Sequence, residues 1–451
     1  MERTGLMEQA AAAQAGQGTG GRAAQGATQA SAKRAIKVAI LGFGTVGSSV
    51  ARMLVDRFAG QIELTHIYNR GIARKRVDWT PGRVSWTEDV AAVLASDVDV
   101  VIELAGGLGA AAEWVRSALE AGKSVVTANK KLIAAHGIEL AALARAKGGC
   151  LLYGAAVAGG VPVIPGLQQG LAGERVTRIE GILNGTCNFM LSKMEQGADY
   201  AEVLKEAQAL GYAEADPTED VGGLDARAKL VILSRLALRA DVPVESVDCR
   251  PITSITAIDF EYAKLLGCTI RQISRAELDP AHADGSAIIA SVGPMLVPHG
   301  SPLAWSRGTE NMVLIGGEYG GDVVFSGHGA GGNPTAVAVV SDLLAIAHGS
   351  RAVELPSRRA TASSDLQLRH YVRFLVNDRP GIVASIASAL AAEQINIDAL
   401  LQKPGHSKAS LPFVVTVEPC AGSALRRALE RVARLDFLLA PAVDLQILEQ
   451  E

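Results

Sequence analysis

Aromatic side chains are scarce, at 4% of 451 residues, and so is any excess of one charge: 43 Lys and Arg stand against 47 Asp and Glu, a formal net charge of −4. Without a basic field nothing general recruits nucleic acid or an anionic membrane surface. Few aromatics also means few stacking platforms for bases. No apolar run approaches the roughly 20 residues that span a bilayer, so no membrane partner is expected. The five cysteines (Cys150, Cys187, Cys249, Cys268 and Cys420) are odd in number and lack the close pairing of zinc or dithiol sites. Packing residues in a reducing cytoplasm are the expectation. What the chain does have is apolar residues, 49%, and glycine, 48 residues. That combination suits large cores and tight backbone turns around small molecules. At roughly 150 residues per domain, the length suggests about three domains.

Residues 1–34, an Ala/Gln/Gly/Thr stretch without apolar periodicity, read as a disordered extension, with a transit peptide as the alternative. From residue 35 to 150, β-rich runs (IKVAIL, IELTHIY, VDVVIEL, SVVTA) alternate with helical segments around 45–58, 88–95, 110–121 and 138–147. This is the βαβ rhythm of a parallel sheet. Residues 151–349 mix helices with strands and form an α+β domain. A polar segment, 350–366, reads as a linker. Residues 367–451 follow the order β-α-β-β-α-β, a ferredoxin-like split βαβ.

Gly42-Phe43-Gly44-Thr45-Val46-Gly47 directly follows the strand IKVAIL and opens a helix. In that context GxGxxG marks a Rossmann-type dinucleotide site: the glycines permit the turn and the approach of the pyrophosphate, and the helix N-terminus offers free N–H groups. An NAD-selective site commonly ends its second strand with Asp or Glu. Here Asn69 and Arg70 stand instead, followed by Arg74, Lys75 and Arg76. A cationic cluster there suits a 2′-phosphate, so NADP(H) is the expected preference, with NAD(H) as the second cofactor; solvated loop charges are the alternative.

In the helix that starts near Leu224, a turn of about 100° per residue puts Asp225 and Lys229 on the apolar stripe with Ile232, Leu233 and Leu236. Charges there are costly unless they are paired or face a ligand cavity. The i, i+4 spacing allows a purely structural ion pair. The preceding loop, with Glu214, Asp216, Glu219 and Asp220, favours a second reading, in which carboxylates hold an amino-group substrate while a desolvated Lys exchanges a proton with a reacting oxygen.

GYAEADPTEDVGGLDARAKL resembles the signature of homoserine dehydrogenases, as do Ile182-Leu183-Asn184-Gly185-Thr186, Thr127-Ala128-Asn129-Lys130-Lys131 and Gly327-His328-Gly329-Ala330-Gly331 with Pro334-Thr335. The resemblance covers about residues 36–348. It implies reversible NAD(P)-dependent interconversion of L-aspartate 4-semialdehyde and L-homoserine, on the route to threonine, methionine and isoleucine. It also implies a substrate and dimerisation domain that returns to the cofactor near 327–348. Carried over by residue, Lys229 is the proton donor, Lys130 assists it, Asp225 orients substrate and Lys229, and Glu214 binds the amino group. Gly211 and Gly329 lie near the nicotinamide nucleotide. From the residues alone, Lys130 and Glu214 equally suit a solvated lysine and a loop charge.

Tyr153 to Val161 resembles the family's monovalent-cation loop, with backbone carbonyls of Val157, Gly159 and Val161 as ligands. The family usually has Glu where Gly154 stands, so weak or absent sodium dependence is expected. Cys187 replaces a frequent Thr. The C-terminal unit resembles an ACT domain, with Asn377-Asp378-Arg379-Pro380-Gly381 as a turn before a helix N-terminus. This implies a homodimer or homotetramer and feedback inhibition by L-threonine; a purely structural dimerisation module is the alternative. Two other functions compete: another small-aldehyde or amino-acid dehydrogenase, and a catalytically silent amino-acid sensor. The second should lack Lys229 or Lys130, and both are present.

Overall fold

The computed structural model describes residues 34–282, 285–349 and 357–449; the extension 1–34 lies outside them except for its last residue. The runs IKVAIL and IELTHIY form strands Ile36–Leu41 and Ile62–Tyr68. With Val100–Glu103, Ser124–Thr127 and the short Ser85–Thr87 and Leu151–Leu152 they make a six-stranded parallel sheet. Ile36–Leu41 lies centrally, between Ile62–Tyr68 and Val100–Glu103. The strand order therefore reverses beside Gly42, which is where open α/β sheets bind ligands.

The fourth helix of this region starts earlier than its apolar pattern suggests, at Lys130 rather than near 138, and runs to Ala146. The reason is local. Asn129 caps it by accepting from Leu132 N, and Asn129 N itself donates to Thr127 Oγ1.

The middle region is an antiparallel sheet in the order Gly321–His328, Glu310–Gly317, Val176–Ile182, Cys268–Leu278 and Ala287–Pro298. Helices Gly185–Met194, Leu224–Ala237 and Ala257–Leu265 pack against it. Helix Gly332–Ala347 then returns to the first domain. Its Ala336, Val339, Val340 and Leu343 join one buried cluster with Ile40, Val50, Ala51 and Leu54.

The C-terminal unit forms in the expected order: Gln367–Val376, Ile382–Ala391, Ile397–Leu401, Leu411–Ala421, Gly422–Val432 and Val443–Ile447. Of the segment read as a linker, 350–356 lies outside the described residues. Arg358–Arg359 and Thr361–Ser363 pair in parallel with Ala240–Asp241 and with Ala287–Ile289. These pieces are exposed or half-buried and carry no apolar run, so pairing rather than burial makes them strands.

The C-terminal sheet is continuous with the central one. Met295 and Leu296 pair in parallel with Gln446 and Ile447. A buried charge pins the join: Asp259, 0% exposed, accepts from Arg373 Nε at 2.6 Å and Tyr371 Oη at 2.9 Å. Its other oxygen closes the capping box of helix Ala257–Leu265 with Thr256. Arg373→Ala leaves that carboxylate without its cation and is expected to destabilise the protein by about 3 kcal/mol or more. An unfolding midpoint in urea unchanged from wild type would refute this.

Candidate functional site

Strand Ile36–Leu41 ends in a turn whose glycines have separate causes. Gly42 sits at φ +107°, and a Cβ there would lie 2.8 Å from the Leu104 carbonyl carbon; one on Gly47 would lie 2.1 Å from Gly42 O. A Cβ on Gly44 would meet nothing within 4 Å, so the backbone there is open to an approaching ligand. Gly44 is also the N-cap of helix Thr45–Arg57 and supplies no side-chain acceptor. The first N–H groups of that helix are left to face an anion. The residues present fit a dinucleotide.

The adjacent strand end contributes polar contacts. Phe43 N donates to Asn69 Oδ1 at 3.0 Å and Asn69 Nδ2 to Arg70 O at 2.6 Å. Trp86 packs edge-on against the Phe43 ring, centroids 4.8 Å apart. Arg70, Arg74, Lys75 and Arg76 are exposed.

A cleft of about 590 Å³ gathers Val46, Lys130, Gly159, Gly211, Glu214, Asp225, Lys229 and Gly329. Arg70 lies outside its lining, as do Gly42, Phe43 and Gly44 of the turn and Thr45 and Gly47, which flank Val46 in the first turn of the helix.

Asp225 is the hub of this cleft. It is 6% exposed and sits in the first turn of Leu224–Ala237, where the helix dipole favours a carboxylate. Its Oδ2 meets Lys229 Nζ at 2.7 Å and its Oδ1 meets Lys130 Nζ at 2.7 Å. Burial alone would raise the Asp225 carboxyl, but the Lys229 and Lys130 ammonium groups outweigh it and hold its pKa well below the usual carboxylate range. For Lys130, burial acts to lower the pKa; Asp225 beside it, with Asp220 and Glu219 farther out, reverses the sign and raises it. The charged pair on the apolar stripe is thus joined by a third charge from another domain, and all three line the cleft.

Asn184 and Thr186 take on specific partners in three dimensions. Asn184 Nδ2 donates to Asp220 Oδ1 at 2.7 Å and Asp225 Oδ2 at 2.9 Å, while Asn184 Oδ1 caps helix Gly185–Met194. Burial pushes Asp220 up, against the Asn184 hydrogen bond. Thr186 Oγ1 donates to Tyr212 O at 2.6 Å, which fixes the loop before Glu214. Asn184 and Thr186 stand inside an Asn-Gly-Thr sequence that closes an apolar strand, and that cap signal was available.

At the cation loop a carboxylate from helix Gly332–Ala347 stands beside Gly154. Gly154 N donates to Asp342 Oδ2 at 2.8 Å, and a Cβ at 154 would lie 2.9 Å from Asp342 Oδ1. Asp342 therefore takes the space a side chain at 154 needs. Burial, only partly offset by that hydrogen bond, raises its pKa to about 7. The Val161 carbonyl already accepts from Val163 N. Among the described residues no group of three or more His, Cys, Asp or Glu gathers to hold a metal ion.

Residues 42–154 match the family model "Homoserine dehydrogenase, NAD binding domain", and residues 162–344 the model "Homoserine dehydrogenase". A homoserine dehydrogenase of Corynebacterium glutamicum is 39% identical over 431 residues, covering 89% of this chain and 96% of that protein. The chain belongs to the homoserine dehydrogenase family. The homoserine dehydrogenase of Bacillus subtilis is 38% identical, covering 85% of this chain and 92% of its own. A crystal structure of a homoserine dehydrogenase from Thiobacillus denitrificans superposes with a TM-score of 0.83 at 34% identity, covering 92% of this chain and 99% of that one. Residues 370–437 match the ACT domain. The chain is accordingly an NAD(P)-dependent oxidoreductase acting on a CH–OH group, interconverting L-homoserine and L-aspartate 4-semialdehyde in amino-acid biosynthesis. Among the described residues no helix is long and apolar enough to cross a membrane.

Proposed function

We propose that Lys229 delivers the proton in this homoserine dehydrogenase and that Asp225 and Lys130 set it in place. One observation carries the reading. A lysine ammonium has three N–H donors; Lys229 spends two, on Leu183 O at 2.6 Å and Asp225 Oδ2 at 2.7 Å, and the third is left for the cleft. A nicotinamide cofactor, when bound, would supply hydride chemistry for the aldehyde carbon. As charge grows on the aldehyde oxygen, Lys229 gives it a proton, and in the oxidative direction Lys229 takes the proton back. Lys130 places a second positive charge in the cleft, across Asp225 from Lys229. Glu214, exposed on the cleft wall, suits the substrate ammonium.

The finer readings rest on individual residues. NADP(H) is the preferred cofactor because Asn69 stands where a carboxylate would select NAD, with Arg70 and Arg74 to Arg76 exposed next to it. Sodium dependence is weak or absent, because Gly154 stands where the family usually has Glu and burial raises the pKa of the neighbouring Asp342 carboxyl, which favours its neutral form. L-Threonine is the effector proposed for the C-terminal unit, seated at helix Ile382–Ala391, whose N-cap Gly381 contributes no side-chain acceptor. A homodimer or homotetramer in the cytoplasm is the proposed working form, consistent with the paired interfaces at which ACT domains bind amino acids.

Lys229→Ala is expected to cut turnover by roughly 10²-fold or more while NADP(H) binding is kept; near-normal turnover removes Lys229 from the mechanism. Arg70→Ala should lower the ratio of kcat/KM for NADP over NAD by about tenfold, the scale of one lost charge-assisted hydrogen bond. An unchanged ratio would exclude Arg70 from cofactor choice. Rates in sodium and choline chloride at one ionic strength should agree, and a strong requirement for sodium would refute the reading of Gly154.

A further inference from the structure

We propose that Asn311 is a positioning residue that holds the proton-delivering Lys229 and the glycine-rich return segment in one register. This rests on the reading of Lys229 as the proton donor. The Leu183 carbonyl receives two donors, Lys229 Nζ at 2.6 Å and Asn311 Nδ2 at 3.0 Å. A carbonyl oxygen offers two lone pairs. With Asn311 on one of them, the other is aimed at Lys229, so the ammonium is located by a carbonyl that is itself located.

The same amide lies against the glycine-rich return segment. A Cβ on Gly329 would lie 2.0 Å from Asn311 Cγ and 2.1 Å from its Oδ1, so only a glycine admits this contact. The φ of Gly329 is not in the left-handed region, and closeness to Asn311 rather than backbone conformation accounts for the residue. Gly329 lines the cleft, and its carbonyl in turn leaves no room for a Cβ on Gly159. One side chain, 1% exposed, thus abuts both the carbonyl that holds Lys229 and the Gly329 backbone that lines the cleft.

Asn311 Oδ1 is buried without a hydrogen-bond partner among the described residues. A leucine of nearly the same shape would avoid the cost of that orphaned acceptor. The position therefore uses the Nδ2 donor. Displacing a reacting group by a fraction of an ångström slows chemistry strongly with little effect on ground-state binding.

The test uses the full-length enzyme with Asn311→Leu and Asn311→Asp, and Lys229→Ala alongside. The readouts are NADP(H) bound per chain, kcat and KM for L-homoserine, and the isotope effect on kcat with L-homoserine deuterated at the reacting carbon. Both Asn311 variants are expected to bind cofactor at one per chain, lose roughly tenfold or more in kcat, keep KM within about threefold, and show a larger isotope effect than wild type. A kcat within about twofold of wild type overturns the proposal. So does a loss of turnover that only tracks the fraction able to bind cofactor, or failure of both variants to bind it, since either assigns Asn311 to folding alone. Normal turnover by Lys229→Ala removes the reading beneath the proposal, whereas an inactive Lys229→Ala beside an unimpaired Asn311→Leu overturns the proposal by itself.

Discussion

Asp225 offers one oxygen to Lys229 from its own helix and the other to Lys130 from the nucleotide-binding domain, both at 2.7 Å. A carboxylate that is 6% exposed is tolerable only with such company, because an unpaired buried charge costs several kcal/mol. The need runs in both directions. Lys130 begins a helix, where the dipole disfavours a cation, and Asp225 compensates it. Lys130 is delivered by a relay that starts inside the parallel sheet: buried Glu103 accepts from Thr127 Oγ1 at 2.6 Å, Thr127 Oγ1 accepts from Asn129 N at 3.0 Å, and Asn129 caps the helix. The two domains are thus keyed to each other at the cleft that Lys130, Asp225 and Lys229 line.

The same cleft collects the starts of five helices. Val46, Lys130, Thr186, Asp225 and Thr335 belong to the first turns of Thr45–Arg57, Lys130–Ala146, Gly185–Met194, Leu224–Ala237 and Gly332–Ala347. Helix N-termini present unsatisfied N–H groups and partial positive charge. A cofactor with phosphates and a substrate with a carboxylate are both anionic partners for such a surface. Glycines at 159, 329 and 331 keep side chains out of the middle, so backbone lines that part of the cleft.

Much of this was legible in the chain, and the gaps have physical causes. IKVAIL and IELTHIY announce their strands because parallel strands covered on both faces are almost uniformly apolar. Asp225 and Lys229 declare themselves because charges on an apolar helix stripe demand an explanation. The start of the helix at Lys130 is concealed by two consecutive lysines that fit neither face, and only the Asn129 cap reveals it. The Leu183 carbonyl and the contact of Asn311 with Gly329 leave no trace in residue types, because a backbone oxygen has no letter and its partner lies 128 residues away. Arg358–Arg359 and Thr361–Ser363 were hidden for a related reason: edge pairing needs hydrogen bonds, which every residue but proline can supply.

Continuity of the sheet gives the C-terminal unit a mechanical hold on the site that no linker would. Tyr371, Val414 and Leu445 of that unit share a buried cluster with Cys187, Met190 and Leu191, which belong to the helix capped by Asn184. Close-packed interiors do not yield gradually. A rotation of the C-terminal sheet must therefore either break the Asp259–Arg373 pair and the Met295–Gln446 register or carry helix Gly185–Met194 along with it. Because Asn184 at the head of that helix donates to both Asp220 and Asp225, the second course moves the carboxylate that holds the two lysines. The buried charge at Asp259 makes the first course expensive, which leaves helix Gly185–Met194, whose first turn lines the cleft, as the less costly one to move.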